Sequence, residues 1–411
     1  MSRASTFRLG AIAIAATAFL SAAFSQAQTP PAAPPAPAPA APAAAPPAPP
    51  VPFDTALLNA ANTLFSKAQL PPGNQPVELV IDPLIDGVSG AQSAASQLME
   101  KRLVELAQKS FPRFKVQPFN TTTLARAPVV LVGTFTAINN AGEVGGAKDA
   151  YRICLALADL RSKTIISKGF AKALPDGVDA TPTPYFVDNP VWAEDEATIT
   201  YIKTCQGTKA GDPLNPVYID RIETASLISD GIAEYDSKRY REALAFYRTA
   251  MRMPGGDQLR VYNGVYLSNW KLSRRDDAEQ AFASLVSYGL KSNKLAIKLL
   301  FRPGSTQFLE DPQLTAPYPM WIEQIATRVA QANTCLEIVG HTSPKGPVQL
   351  NERLSVLRAE TIRQTLEQAD QRLMGRMIAS GVGPRENLIG TGKDDASDAL
   401  DRRVEFKVLK C

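Results

Sequence analysis

Residues 335–359 read CLEIVGHTSPKGPVQLNERLSVLRA. Cys335–Thr342 (CLEIVGHT) is a short apolar run of strand character that ends in Gly340-His341-Thr342. A turn rich in Pro and Gly follows, and Pro347–Ala369 then takes on helical spacing. On that helix Asn351, Leu354, Ser355 and Arg358 stand at i, i+3, i+4 and i+7, so they share one face. A face made only for a core would be apolar there. Three polar members imply either a satisfied network or a binding site. Working outward, Ala296–Phe308 reads as a strand followed by a turn. Ala316–Gln331 reads as a helix with Trp321, Ile322, Ile325 and Val329 on one side. A further helix is expected around Gln371–Ser380, a strand over Asn387–Thr391, and a closing strand over Arg403–Leu409. The order is β-α-β-α-β-β with one extra short helix, that of a compact α/β domain over 296–411.

The motifs in this stretch occur in a recognisable succession. They are Gly340-His341-Thr342, then Asn351-Glu352-Arg353-Leu354-Ser355-Val356-Leu357-Arg358-Ala359, then Arg402-Arg403-Val404-Glu405-Phe406. Together they resemble the OmpA-like family of peptidoglycan-binding domains. The resemblance implies a wall-binding set made of Thr342, Ser343, Asn351, Ser355, Arg358, Arg402 and Arg403. The implied ligand is the stem peptide of the wall, whose diaminopimelate offers carboxylates and an ammonium. Arg358 suits a carboxylate because its planar fork donates two parallel hydrogen bonds. The alternative for Arg358 is an internal pairing with an acid such as Asp401. The family places Asp after the Thr of its strand end, and this chain has Ser343 there. Exchanging a charge-assisted bond (~1.5–3 kcal/mol) for a neutral one (~1 kcal/mol) would weaken binding about tenfold. Asp394, Asp395 and Asp398, in the loop before Arg402, are candidate substitutes. Asp401 stands where the family usually has Asn. His341 is read as structural, since its strand-end position is commonly so in this family.

His341 is the only histidine among 411 residues. That removes most Ser-His and Cys-His catalytic constellations. With no nucleophile elbow and no phosphate loop, a non-catalytic protein without cofactors is expected. The net charge of +4 is small and no long basic run occurs, so nucleic acid is not an expected partner. Four cysteines are present: Cys154, Cys205, Cys335 and Cys411. They form neither a CxxC pair nor a Cys/His cluster, which argues against zinc. In an exported chain an even count suggests disulfides. Of the three connectivities, Cys154–Cys205 with Cys335–Cys411 keeps each bridge inside one domain and is favoured.

Export is read from the first residues. Arg3 and Arg8 give a positive start, Leu9–Leu20 an apolar centre, and Ser25-Gln26-Ala27 a cleavage site, so residues 1–27 are expected to be a signal peptide. The alternative is an uncleaved anchor, but Leu9–Phe24 is short for a membrane span of ~20 residues. No Cys sits near the cut for a lipoprotein anchor. Later stretches are too polar to cross a membrane, so the mature chain is expected to have no transmembrane span. Residues 28–52, almost only Pro and Ala, read as an extended tether.

Two further segments lie between tether and wall-binding domain. Over 53–212, Val77–Asp82, a helix Ala94–Ser110, Phe114–Phe119, Ala127–Ile138, Tyr151–Leu160 and Lys163–Ala171 predict an α/β sandwich with a mixed sheet. Its strand ending in Asp82-Pro83, its polar loop, its long helix and Val129-Val130-Leu131-Val132-Gly133 resemble the small domain of TolB amino-terminal, curli-secretion and penicillin-binding-protein-activator lipoproteins. The loop Asp86–Ser96 lacks P-loop spacing and reads as an ordinary N-cap. Over 221–290, Gly231, Tyr235, Tyr240, Ala243, Tyr247 and Ala250 fall where a tetratricopeptide repeat (TPR) places small and aromatic residues. A looser copy follows at Gly264, Trp270 and Asp277–Phe282, with Ala278 35 residues after Ala243. TPR-like helices imply either envelope protein partners or a spacer. The chain thus reads as a multidomain α/β and α+β protein of the Gram-negative periplasm, held at the cell wall or outer membrane. The alternative is an envelope assembly scaffold whose carboxy-terminal domain has lost strong wall binding.

Overall fold

The computed structural model describes residues 49–144, 148–191, 195–293, 295, 297–388, 398 and 401–411. The expected signal peptide, most of the tether, Asp394 and Asp395 lie outside the described residues. Residues 48–411 form one compact unit. No helix among the described residues is long and apolar enough to cross a membrane.

The amino-terminal part begins with a helix that periodicity left unassigned, α1 (Phe53–Ser66). Its buried residues Ala56, Leu57, Ala60, Ala61, Leu64 and Phe65 make a narrow apolar stripe. There follow β1 (Val77–Ile81), α2 (Ala94–Ser110), β2 (Phe114–Val116), α3 (Thr121–Leu124), β3 (Val129–Ile138), β4 (Ala150–Asp159) and β5 (Thr164–Ala173). The strands form one mixed sheet in the order β2-β1-β3-β4-β5. β1 runs parallel to β2 and β3, and β3, β4 and β5 are antiparallel. One face buries Leu79, Leu131, Leu155 and Leu157 beneath α1 and α2. The alternate residues Val80, Val130, Val132 and Ala156 form a second core. Gly169 lets α1 approach, since a Cβ there would lie 2.1 Å from the carbonyl oxygen of Ala60. Val51, read as tether, already pairs with the end of β5.

The chain continues through α4 (Pro184–Asp188), α5 (Glu196–Gln206), α6 (Pro216–Asp236), α7 (Tyr240–Met251), α8 (Leu259–Lys271) and α9 (Arg275–Lys291). The Cys154–Cys205 disulfide fastens α5 to β4. α6 to α9 form two successive helix pairs. Each turns at a non-glycine residue with positive φ, Lys238 and Ser273. The small residues expected at the helix contacts are there for Tyr247: a Cβ would lie 2.9 Å from its ring at Gly231 and 2.4 Å at Gly264.

The last part holds β6 (Leu299–Leu300), α10 (Pro312–Thr315), α11 (Tyr318–Gln331), β7 (Cys335–His341), α12 (Val348–Ala369), β8 (Met377–Gly383) and β9 (Arg403–Leu409). The sheet order is β6-β9-β7-β8. The Cys335–Cys411 disulfide forms, so both bridges match the favoured pairing. One expectation fails: Gln371–Ser380 is not a helix. Only a 3-10 turn spans Gln371–Leu373; Gly375, at φ 75°, then reverses the chain into β8, parallel to β7. Hydrogen bonding to β7 outweighs a weak local helical pattern. Asn387 and Leu388, read as a strand start, are irregular, and 389–391 lie outside the described residues. The helix pairs share a core with this domain. Phe282 stacks on Trp321 at 5.3 Å, and the Trp321 indole donates to the Tyr266 hydroxyl at 2.7 Å.

Candidate functional site

The residues of the Gly-His-Thr and Asn-x-x-Leu-Ser-x-x-Arg motifs meet where β7 ends against the first half of α12. Two glycines allow that meeting. A Cβ at Gly340 would lie 1.8 Å from the carbonyl oxygen of Ser355, and one at Gly381 2.2 Å from its hydroxyl. The first obstacle is helix backbone and cannot rotate away. Gly340→Ala is therefore expected to lower stability by about 2–3 kcal/mol, measured by urea denaturation of the full chain; an unchanged midpoint would refute the close approach.

Seven predicted residues are buried: Thr342, Ser343, Asn351, Ser355, Arg358, Arg402 and Arg403. Asn351 donates from its amide to the carbonyls of Ser343 (3.3 Å) and Lys345 (3.0 Å), holding the turn after β7. The Ser355 hydroxyl donates to Glu352 O and accepts the Gly383 N–H at 3.0 Å, tying α12 to β8. Arg358 is fully buried under the turn that follows β6. Its Nε donates to Ser305 O, Nη1 to His341 O and Nη2 to Arg302 O, each at 2.9 Å. Its guanidinium also lies 5.2 Å from the centre of the Phe301 ring.

Arg402 and Arg403 enter from β9 and the residues before it. The Nε of Arg402 donates to Phe301 O at 3.2 Å. Arg403 pairs with Glu405 at 2.6 Å and donates to Glu386 O. Asp401 accepts the Leu388 N–H at 2.6 Å, and Asp398 is wholly buried. Thr342 donates its N–H to Gly383 O, and its carbonyl accepts from Asn387. His341 is buried, and neither ring nitrogen has a hydrogen-bond partner among the described residues. Burial, then the neighbouring Arg403 charge, pushes its pKa down to about 3, so it is neutral at ordinary pH.

The loop Asp86–Ser96 closes on itself. Asp86 accepts from the N–H groups of Val88 and Ser89 and from the Ser89 hydroxyl. Ser93 and Ser96 cap α2 reciprocally.

Sequence reading did not identify two other groupings. One is a cavity of about 50 Å³ at the carboxyl end of β1, lined by Asp82, Tyr201, Tyr218, Arg221 and Arg260 among others. In the sequence Asp82 reads as a strand end; an acid closing an apolar run is the signal that points to it. The other is Thr183–Val191, to which sequence pattern assigns no element.

No family model matches the chain and no curated protein matches it. Among solved structures, the peptidoglycan-associated lipoprotein of Burkholderia pseudomallei is 23% identical, with a TM-score of 0.23, over 27% of this chain and 89% of that one. The cell wall anchor of the type VI secretion system of Pseudomonas aeruginosa is 20% identical, with a TM-score of 0.23, over 32% and 97%. An OmpA-like domain from Francisella tularensis is 18% identical, with a TM-score of 0.22, over 28% and 74%.

Proposed function

We propose that this chain is a non-catalytic envelope protein that holds peptidoglycan through residues 296–411 and presents its α/β and helical modules to other envelope proteins. The observation that carries this reading is the convergence of Thr342, Ser343, Asn351, Ser355 and Arg358 at the junction of β7 and α12. A carboxylate of a stem peptide is the chemistry that a guanidinium at that junction recognises. The expected export signal and the two disulfides fit an oxidising compartment, the periplasm.

Co-sedimentation with isolated sacculi tests the reading. The purified chain is expected in the pellet. Ser343→Asp is expected to tighten binding about tenfold by restoring an acidic partner for the stem-peptide ammonium. Both proteins staying in the supernatant, while folded, would overturn it.

A second reading has its own support. All three guanidinium nitrogens of Arg358 already donate to backbone carbonyls. In this reading the domain is architectural and the chain is an assembly scaffold. Absence of sacculus binding, with Ser343→Asp giving no gain, favours it.

A further inference from the structure

Residues 181–191 (TPTPYFVDNPV) leave the α/β part beside Ser93 and run across the helix pairs. The helices hold this segment as a receptor holds a peptide. Tyr185, wholly buried, lies edge-on to Tyr235 at 5.7 Å and stacked on Tyr247 at 6.0 Å. Its hydroxyl donates to Arg260 O at 2.8 Å, and its backbone N–H donates to Asp236 at 2.7 Å. One turn later, Asp188 accepts from the Tyr235 hydroxyl at 2.7 Å and pairs with Lys271 at 2.8 Å. Beyond it, the carbonyl of Pro190 accepts from Lys298 N–H, and Val191 bridges to Ile297. The grip thus has an aromatic slot on α6 and α7, a side-chain clamp on a peptide N–H, and a cation with a hydroxyl for a carboxylate.

Asn263 lies one turn beyond Arg260 and is fully buried, yet neither atom of its amide has a hydrogen-bond partner among the described residues. Buried amides are rarely left so.

We propose that the groove of α6–α8 is a peptide-binding site occupied in cis by Thr183–Val191. Its external partner is a peptide segment with two adjacent aromatic residues and a carboxylate two positions after them. This rests on reading the helical segment as partner-binding, and names the partner's chemistry and what withholds the site. The internal segment competes from an effective concentration on the order of millimolar, so a partner engages only when that segment lifts. Lifting it would also loosen the tie between the helices and Ile297, at the threshold of the wall-binding domain.

The test uses the full chain and a fluorescein-labelled peptide of sequence TPTPYFVDNPV, read by anisotropy. Asp188→Ala weakens the internal competitor and leaves Tyr235, Lys271 and Asp236 in place. The labelled peptide is expected to bind this variant at least tenfold more tightly than the unaltered chain. A peptide with the same Asp replaced by Ala is expected to lose that gain. Hydrogen exchange on the unaltered chain is the second measurement: excess peptide should speed exchange at Tyr185–Asn189 and leave α6 and α8 protected. No binding to the folded variant, together with unchanged exchange at Tyr185–Asn189, overturns the proposal. If the variant does not fold, the exchange result alone decides. Equal binding of a scrambled peptide removes the stated chemistry and leaves the partner-binding reading standing. Sacculus binding is unaffected by any of these outcomes.

Discussion

Arg358→Ala is expected to lower the stability of the folded chain by about 4 kcal/mol. Its guanidinium donates to Ser305, His341 and Arg302, three main-chain carbonyls from two separate segments. Hydrogen bonds from a charged donor contribute about 1.5–3 kcal/mol each, and a buried carbonyl left without a donor costs about 1–3 kcal/mol. The truncation also empties the space beside the Phe301 ring. Relaxation and water entry offset part of that sum, so it is not taken at full value. Arg358→Lys keeps a charge and most of the stem but cannot fork to three carbonyls, so about half the loss is expected. Urea midpoints of the three proteins are the measurement. Equal midpoints for the Arg and Ala forms would mean that this network does not hold the turn after β6 in place.

The result bears on function, because Arg358 is both the expected ligand contact and a structural tie. Loss of sacculus binding in the Ala form would be ambiguous by itself. Arg358→Lys and Ser343→Asp separate the roles. A charge without a fork retains part of the fold but loses planar recognition of a carboxylate. An added acid at 343 changes recognition from the ligand side.

Much of this was legible beforehand because local pattern and tertiary role coincide. The polar face of α12, the glycine at the end of β7 and the closing strand β9 each follow from residue spacing. The disulfide pairing followed from keeping each bridge inside a domain. β8 was missed because Met377–Gly383 has no strong alternation, and it is a strand only through its bonds to β7. α1 was missed because its alanine-rich stripe follows a proline-rich stretch and gains meaning only against Gly169. Burial of the predicted site was also illegible. A motif names residues that meet, but whether their donors face a ligand or the chain's own carbonyls depends on the turn at Arg302–Ser305, which no spacing rule reaches. The packing of Thr183–Val191 was illegible for the same reason, since its composition says nothing about what covers it.

The remaining large effect concerns pH, and its origin is Asp82. The carboxylate sits at the end of β1, 5% exposed, and accepts the Tyr218 hydroxyl at 2.9 Å. Burial raises its pKa to about 7, against lowering contributions from the Tyr218 hydrogen bond and the Arg260 charge. Glu100, which accepts the Leu84 N–H at 2.7 Å, is likewise raised to about 7 by burial, with Asp82 adding to the rise. Tyr201 also faces this acid, and its hydroxyl is held by the Gly133 N–H and the Asp82 carbonyl. A raised carboxyl pKa means that the folded chain keeps a proton the unfolded chain has lost. The stabilisation is therefore complete below about pH 4 and is lost as pH rises to about 7. For Asp82 alone, a rise of about three pKa units corresponds to roughly 4 kcal/mol. Between pH 5 and 8 the urea midpoint of the unaltered chain is expected to fall. Asp82→Asn keeps an acceptor for Tyr218 and removes the titration. It should match the unaltered chain near pH 4, exceed it by about 2–4 kcal/mol at pH 8, and flatten the profile between. A profile already flat in the unaltered chain, or a variant weaker than it at pH 8, would show that Asp82 is ionised and solvated in the folded protein, with the adjoining cavity supplying the water.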